Sequence, residues 1–182
     1  LFFSHINKKE REIKFMRKNS FLNTLTMIAL GIFTAIIMRA CVILVGYIPS
    51  TSMENTLHKE DFIIANKLAY IFNNPKRGDI VCFTLENEIY IKRIIGIPGD
   101  HIEINGNTII INDEIYNEDY LKDDNWGNNE KYIFDVPDGC YFLLGDNRND
   151  SYDSRYWDNP YITKKNIIAK FGFIIKKGNN NL

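Results

Sequence analysis

The chain has 182 residues, of which 45% are hydrophobic and 25% charged, enough for one domain with a real core and too few for two large ones. Those fractions exclude wholesale disorder, collagen and coiled coil, and a net charge of −1 gives no support for binding nucleic acid. The charge is unevenly spread. Residues 1–20 hold six basic groups (Lys8, Lys9, Arg11, Lys14, Arg17, Lys18) against Glu10 and Glu12, so a basic head precedes an acidic body.

Phe21 to Met38 is an uncharged run long enough, as a helix, to approach the hydrocarbon thickness of a bilayer. Its three threonines can return their hydroxyls to the helix backbone, which limits their cost in lipid. Arg39 ends the run. Because the basic residues all precede it, the positive-inside rule places the N-terminus in the cytoplasm and the body on the far side. The reading is therefore a basic cytoplasmic segment at 1–20, a single transmembrane anchor at 21–39 and an exported body at 40–177. A cleaved signal peptide, a lipoprotein acylated at Cys41 and a buried core helix fit less well.

Beyond the anchor the pattern becomes strand-like. Cys41–Ile48 reads as a short buried strand. Runs at 61–66, 79–85 and 89–95 follow, separated by turn residues such as Asn73-Asn74-Pro75 and Arg77-Gly78-Asp79. In the next run, HIEINGNTIII, the Asn105-Gly106 pair signals a tight hairpin. Strands at 132–136 and 140–144 flank Pro137-Asp138-Gly139, and 167–175 supplies a last one. The fold class is mainly β: one transmembrane helix, then a compact antiparallel β domain with a small accessory hairpin region at 103–131. Residues 178–182 form a polar tail. Cys41, Cys82 and Cys140 belong to no Cys-x-x-Cys motif, so no metal site is expected, and small buried thiols explain Cys82 and Cys140 more simply than a bridge.

Two segments carry chemistry. Ile48-Pro49-Ser50-Thr51-Ser52-Met53 offers hydroxyls on a loop after a strand. Tyr90-Ile91-Lys92-Arg93-Ile94-Ile95 places two cations in an apolar strand, and alternation sends them to opposite faces, so one of them should point inward. Burial lowers a lysine's pKa, and a neutral amine is a general base for an otherwise weak serine nucleophile. A Ser-Lys dyad is one outcome. A half-exposed strand beside an ordinary turn is the other.

The order of four segments narrows the choice. The apolar run followed by IPSTSMENTL, then DFIIANKLAY with PKRGDIVCF, then YIKRIIGIPGD, then LLGDNRNDSYDSRYW resemble the conserved boxes of type I signal peptidase, a family of membrane-bound Ser-Lys proteases. The resemblance implies Ser52 as nucleophile and Lys92 as general base. It implies that Ser50, with the Ser52 N–H, stabilises the oxyanion, and that Ser151 orients the lysine amine. Asp153 and Arg155 would form a supporting ion pair, and Asp146, Asn147 and Arg148 the structural part of the last box. Ile48, Met53 and Ile91 would line shallow pockets for small substrate residues. The implied activity is removal of signal peptides from secreted preproteins at the plasma (inner) membrane, after an Ala-x-Ala type sequence, with no cofactor and with the lipid bilayer as the other partner. A catalytically impaired homologue that only binds preproteins, or a mitochondrial inner-membrane processing peptidase, would share these boxes. The chain departs from the family pattern at Thr51, where Gly is common, at Asn55, where Pro is usual, and at Asp150, where Asn is usual. Loss of the proline is expected to loosen the nucleophile loop.

Overall fold

The computed structural model describes residues 2–121, 126 and 131–176. The chain divides into two units, 1–42 and 43–182. The first is a helix, α1 (Phe2–Ile37), continued by one π-type turn at Met38–Val42. Its stretch Ser20–Val42 is long and apolar enough to cross a membrane. The threonines behave as expected: Thr24 Oγ1 donates to Ser20 O at 3.0 Å, Thr26 to Leu22 O at 2.9 Å and Thr34 to Leu30 O at 2.8 Å.

The second unit is built from strands β1 (Ile43–Tyr47), β2 (Phe62–Asn66), β3 (Ile80–Leu85), β4 (Glu88–Gly96), β5 (His101–Asn105), β6 (Thr108–Ile111), β7 (Glu114–Ile115), β8 (Lys131–Asp135), β9 (Cys140–Leu144), β10 (Tyr161–Thr163) and β11 (Ile167–Lys176). They form a seven-stranded sheet in the order β1-β2-β11-β3-β4-β9-β10 and a four-stranded sheet in the order β7-β6-β5-β8. Every pairing is antiparallel.

The larger sheet is covered on both faces. Val81 and Phe83 pack in one cluster with Ile94, Leu143 and Trp157, while Ile80 and Cys82 pack in another with Met53, Leu57 and Ile63. Burial on both faces is why these strands read as continuous apolar runs rather than alternating ones. A third cluster joins the two sheets through Ile95, Ile102, Ile104, Phe142 and Leu144.

Several expectations change in detail. The strand expected from Cys41 begins at Ile43, because the helix runs on to Val42, and as an edge strand β1 is half-exposed rather than buried. The β5–β6 turn is Gly106-Asn107, one residue later than the Asn-Gly signal, with Asn105 paired to Thr108 and φ +59° at Gly106. The accessory hairpin gains β7 and β8 and becomes a sheet. All three cysteines are free: Cys82 is buried, Cys140 half-buried and Cys41 exposed. The polar tail expected at 178–182 lies outside the described residues.

Gly96 sits where β4 leaves the larger sheet, just past an irregularity in its pairing with β9. A Cβ there would lie 2.4 Å from Ile102 Cδ1, 2.9 Å from Val136 Cγ2 and 3.0 Å from Phe142 Cβ. Gly96→Ala therefore overpacks the junction of the two sheets. It should cost about 1–3 kcal/mol, read as a lower denaturant midpoint of the full chain with an unchanged m-value.

Candidate functional site

Ser52 lies on the loop that follows β1. Ile48 N–H donates to Asp61 O at 2.9 Å, and Glu60 N–H returns to Ile48 O at 2.8 Å, so the loop's two ends are pinned together. Between them the chain turns tightly, with Glu54 N–H donating to Thr51 O and Leu57 N–H to Met53 O. The loop is also held from the segment after β9. Asn147 N–H donates to Ser52 O at 3.0 Å, and Asn147 Nδ2 to Thr51 O at 3.1 Å. Gly145 makes this approach possible, since a Cβ at that position would lie 2.5 Å from Ser52 O and 2.2 Å from Ser151 Oγ.

The positions that depart from the family pattern add to this clamp. Asn55 Nδ2 donates to Asp146 O at 3.0 Å, and Thr51 Oγ1 donates to the Asp150 carboxylate. At the position where the family has proline, a side-chain hydrogen bond ties the loop to the segment after β9.

Lys92 is in β4, opposite Val81 of β3, and reaches Ser52: Nζ lies 2.5 Å from Ser52 Oγ. Lys92 is only 4% exposed and Ser52 only 7%. Burial pushes the Lys92 amine down to about 8; the Asp153, Asp146 and Asp150 carboxylates oppose the shift and Arg155 assists it. Ser50 Oγ lies 3.3 Å from Ser52 Oγ on the open side.

Asp153 is fully buried and paired with Arg155, whose Nε donates to Oδ1 at 2.8 Å and whose NH2 group donates to Oδ2 at 2.9 Å. Asp153 also accepts from Gly145 N–H at 3.0 Å. Ser151 is brought beside Gly145, yet its Oγ is buried without a hydrogen bond. The expected contact from Ser151 to the lysine amine is thus not made, and the amine is directed at Ser52 instead.

The largest difference from expectation is Arg93. Alternation sends it away from Lys92, and one outward cation was expected, but both are buried, Arg93 at 9% exposure. Asp146 is the reason: Arg93 Nε donates to Oδ1 at 2.8 Å and its NH2 group to Oδ2 at 2.6 Å. Thr56 Oγ1 adds a third bond to the same carboxylate at 2.5 Å. The Tyr120 ring covers the guanidinium, 3.9 Å from centroid to Cζ. Neither Thr56 nor Tyr120 carried a sequence signal, because each acts only through long-range contacts. Arg93 did carry one, its apolar setting beside Lys92.

A mostly apolar groove of about 410 Å³ ends at Ser52 and Lys92, lined by Leu44, Tyr47, Ile48 and Ile91 among others. Ile48 and Ile91 line it. Met53 does not: it is 1% exposed, packed beneath with Leu57 and Ile63, and its Sδ accepts from Asp146 N–H at 3.4 Å. Only residues 93–96 of β4 pair with β9, which leaves the β4 backbone at 88–92 unpaired on the groove side. The remaining aromatics divide. Trp157 packs on Phe83 with centroids 5.7 Å apart, whereas Tyr152 and Tyr156 are exposed rather than packed in the core.

This site can be set beside known proteins. The family model described as "Signal peptidase, peptidase S26" matches residues 21–176. A signal peptidase I of Leptolyngbya laminosa is 38% identical over 156 residues, 79% of this chain and 73% of that protein. A signal peptidase I of Bacillus amyloliquefaciens is 34% identical over 175 residues, 92% of this chain and 94% of that protein. A crystal structure of a signal peptidase I from Enterococcus faecalis is 30% identical, covers 55% of this chain and 98% of its own, and has a TM-score of 0.48. The family match takes in the Ser52 loop, β4 with Lys92 and the segment after β9 in a single span, and the chain accordingly belongs to the signal peptidase family, peptidase S26.

Proposed function

We propose that the protein is a membrane-anchored serine endopeptidase that removes N-terminal signal peptides from exported preproteins with a Ser52–Lys92 dyad. The observation that carries this reading is the Lys92 amine, out of water and 2.5 Å from Ser52 Oγ, at the end of an apolar groove. An extended substrate would add to the free edge of β4 at 88–92 and set small side chains against Ile48 and Ile91. Shallow pockets favour Ala-x-Ala by rejecting bulk rather than by gaining affinity.

In the neutral form Lys92 takes the Ser52 Oγ proton as the oxygen attacks the carbonyl after the small residue. The developing oxyanion is met by the Ser50 hydroxyl and the Ser52 N–H. The Lys92 ammonium returns the proton to the leaving amine, and the mature chain departs. Lys92 then draws a proton from water, which attacks the ester, and hands that proton to Ser52 Oγ as the serine leaves, so the neutral amine and the hydroxyl are both restored. The sequence balances without a cofactor. Asp153–Arg155 and Arg93–Asp146 hold the walls in place without entering the chemistry. The helix at 20–42 would hold the enzyme in the same bilayer as its substrates, which raises their effective concentration. The basic residues before the helix favour a cytoplasmic N-terminus, with catalysis on the outer side of the plasma membrane.

The test is cleavage of a preprotein bearing Ala-x-Ala by the detergent-purified full chain, with the cut located by mass spectrometry. Ser52→Ala and Lys92→Ala should each lower kcat by about a thousandfold or more, and Ser50→Ala by about a hundredfold. A folded wild type that leaves several such preproteins intact would overturn the reading. The rate should rise with pH through about 8, where Lys92 loses its proton. A flat profile from about pH 5 to 9 with chemistry rate-limiting would exclude the neutral-lysine step.

A stability consequence follows, and it runs in the same direction with pH as the activity. Folded Lys92 titrates near 8 and the unfolded side chain near 10.5, so between those values the unfolded chain binds more protons. The cost of burying the amine is therefore complete below pH 8 and fades as pH rises toward 10.5. Lys92→Met should stabilise the chain by about 2–3 kcal/mol at neutral pH, with the gain shrinking above pH 8 in denaturation series at matched pH.

A further inference from the structure

We propose that Tyr120, carried on the segment that leaves the accessory sheet after β7, is a positioning residue for the nucleophile loop and acts through Arg93 and Asp146. The proposal rests on the peptidase reading above. Residues 146–148 are gripped from two sides. On one side Asn147 N–H holds Ser52 O, Asn55 Nδ2 holds Asp146 O and Thr56 Oγ1 holds the Asp146 carboxylate. On the other side stands the segment 116–121. Its Tyr120 ring lies 3.9 Å from Arg93 Cζ, and its Glu118 accepts 2.7 Å and 2.5 Å bonds from the Arg148 guanidinium. Tyr120 links the two ion pairs, since its hydroxyl donates to Glu118 and accepts from the Arg148 NH2 group at 3.4 Å. Arg148 in turn donates from Nε to Gly145 O at 2.9 Å.

Two guanidiniums and two carboxylates thus meet around one phenol ring, and all four side chains are largely out of water. Such pairs hold their geometry only while water is excluded and every donor is satisfied. The ring is the lid over Arg93. Without it, water reaches the Arg93–Asp146 pair, Asp146 is released, and the 146–147 backbone that fixes Ser52 loosens.

Lys92 reports that event. Burial is the largest influence on its amine, and the charges acting on it are Asp153, Asp146, Arg155 and Asp150, all from the segment after β9. The paired strand β3 places Val81 directly across the ladder from Lys92, and Cys82, whose thiol burial pushes up to about 12, lines the same groove. Hydration of the site and exposure of the Asp146 charge both favour the ammonium, so both move the Lys92 midpoint upward.

The experiment compares wild type, Tyr120→Phe and Tyr120→Leu as full-length chains. It follows the Lys92 side-chain titration by NMR, assigned by its absence in Lys92→Met, together with cleavage kinetics against pH. Tyr120→Phe keeps the ring over Arg93 and loses only the hydroxyl contacts to Glu118 and Arg148, so it should lower kcat by less than Tyr120→Leu. Tyr120→Leu should lower kcat about tenfold at an unchanged KM. It should also move the Lys92 midpoint and the acid limb of kcat up by about half a pH unit or more. A folded Tyr120→Leu with wild-type midpoint and kcat would overturn the proposal, because a ring that merely fills space predicts lower stability alone. Tyr120→Met, longer and more flexible than leucine and so better able to fill the gap left by the ring, replaces the leucine variant if that one does not fold. If wild type cleaves nothing, the peptidase reading falls, while the NMR midpoints still decide the coupling.

Discussion

Lys92 brings its amine within 2.5 Å of Ser52 Oγ where almost none of its surface meets water, and that placement has to be sustained against the amine's preference for being a hydrated cation. An exposed strand would let the side chain swing out. Here Lys92 is paired to Val81 of β3, and β9 takes up the strand from the next residue, Arg93, so the Lys92 backbone is held on one side and anchored immediately beyond it. Opposed influences set the protonation. Desolvation depresses the amine, while three carboxylates after β9 pull the other way, and Arg155 pairs with the strongest of them, Asp153. The balance leaves a base that titrates close to neutral pH rather than one locked in either form.

The same economy of contacts explains why the segment after β9 is dense with charge yet buried. Each of its ionic side chains answers a specific backbone or side-chain demand. Asp153 serves Gly145 N–H as well as Arg155, Asp146 takes three bonds from Arg93 and Thr56, and Arg148 takes the Gly145 carbonyl as well as Glu118. Buried ion pairs of this kind add little net stability. What they add is a fixed position for the residue 145–147 backbone, against which Ser52 is registered through its own carbonyl.

Much of this was legible in the sequence, and the limits have physical causes. Strand positions were readable because apolar runs and turn residues are local signals. Turn register was not: β3–β4 and β6–β7 close on Glu86-Asn87 and Asn112-Asp113, non-glycine pairs at positive φ, which composition does not announce. The loop carrying Ser52 and the strand carrying Lys92 could be named from their boxes, but their mutual distance is a property of the sheet. Arg93 was misplaced because strand alternation assumes one wet face. In this sheet a loop and an accessory segment close over the second face and supply a carboxylate and an aromatic ring there. Met53 was misplaced for a related reason: its neighbour Ser52 faces the groove, and the tight turn after it carries the thioether into the core.

The accessory sheet is the part least predictable from the boxes and the most informative about the site. Its cluster with Ile95, Phe142 and Leu144 anchors it to the strands on either side of Gly96, so the two sheets share a core rather than a flexible joint. A sheet so attached delivers Glu118 and Tyr120 to fixed positions over Arg148 and Arg93. Arg93 and Lys92 are consecutive residues of one strand. The contacts that hold Arg93 on its face therefore act one residue away from Lys92. The excursion between β5 and β8 thereby reaches Lys92 and Ser52 through Arg93 and Asp146, although none of its described residues lines the groove.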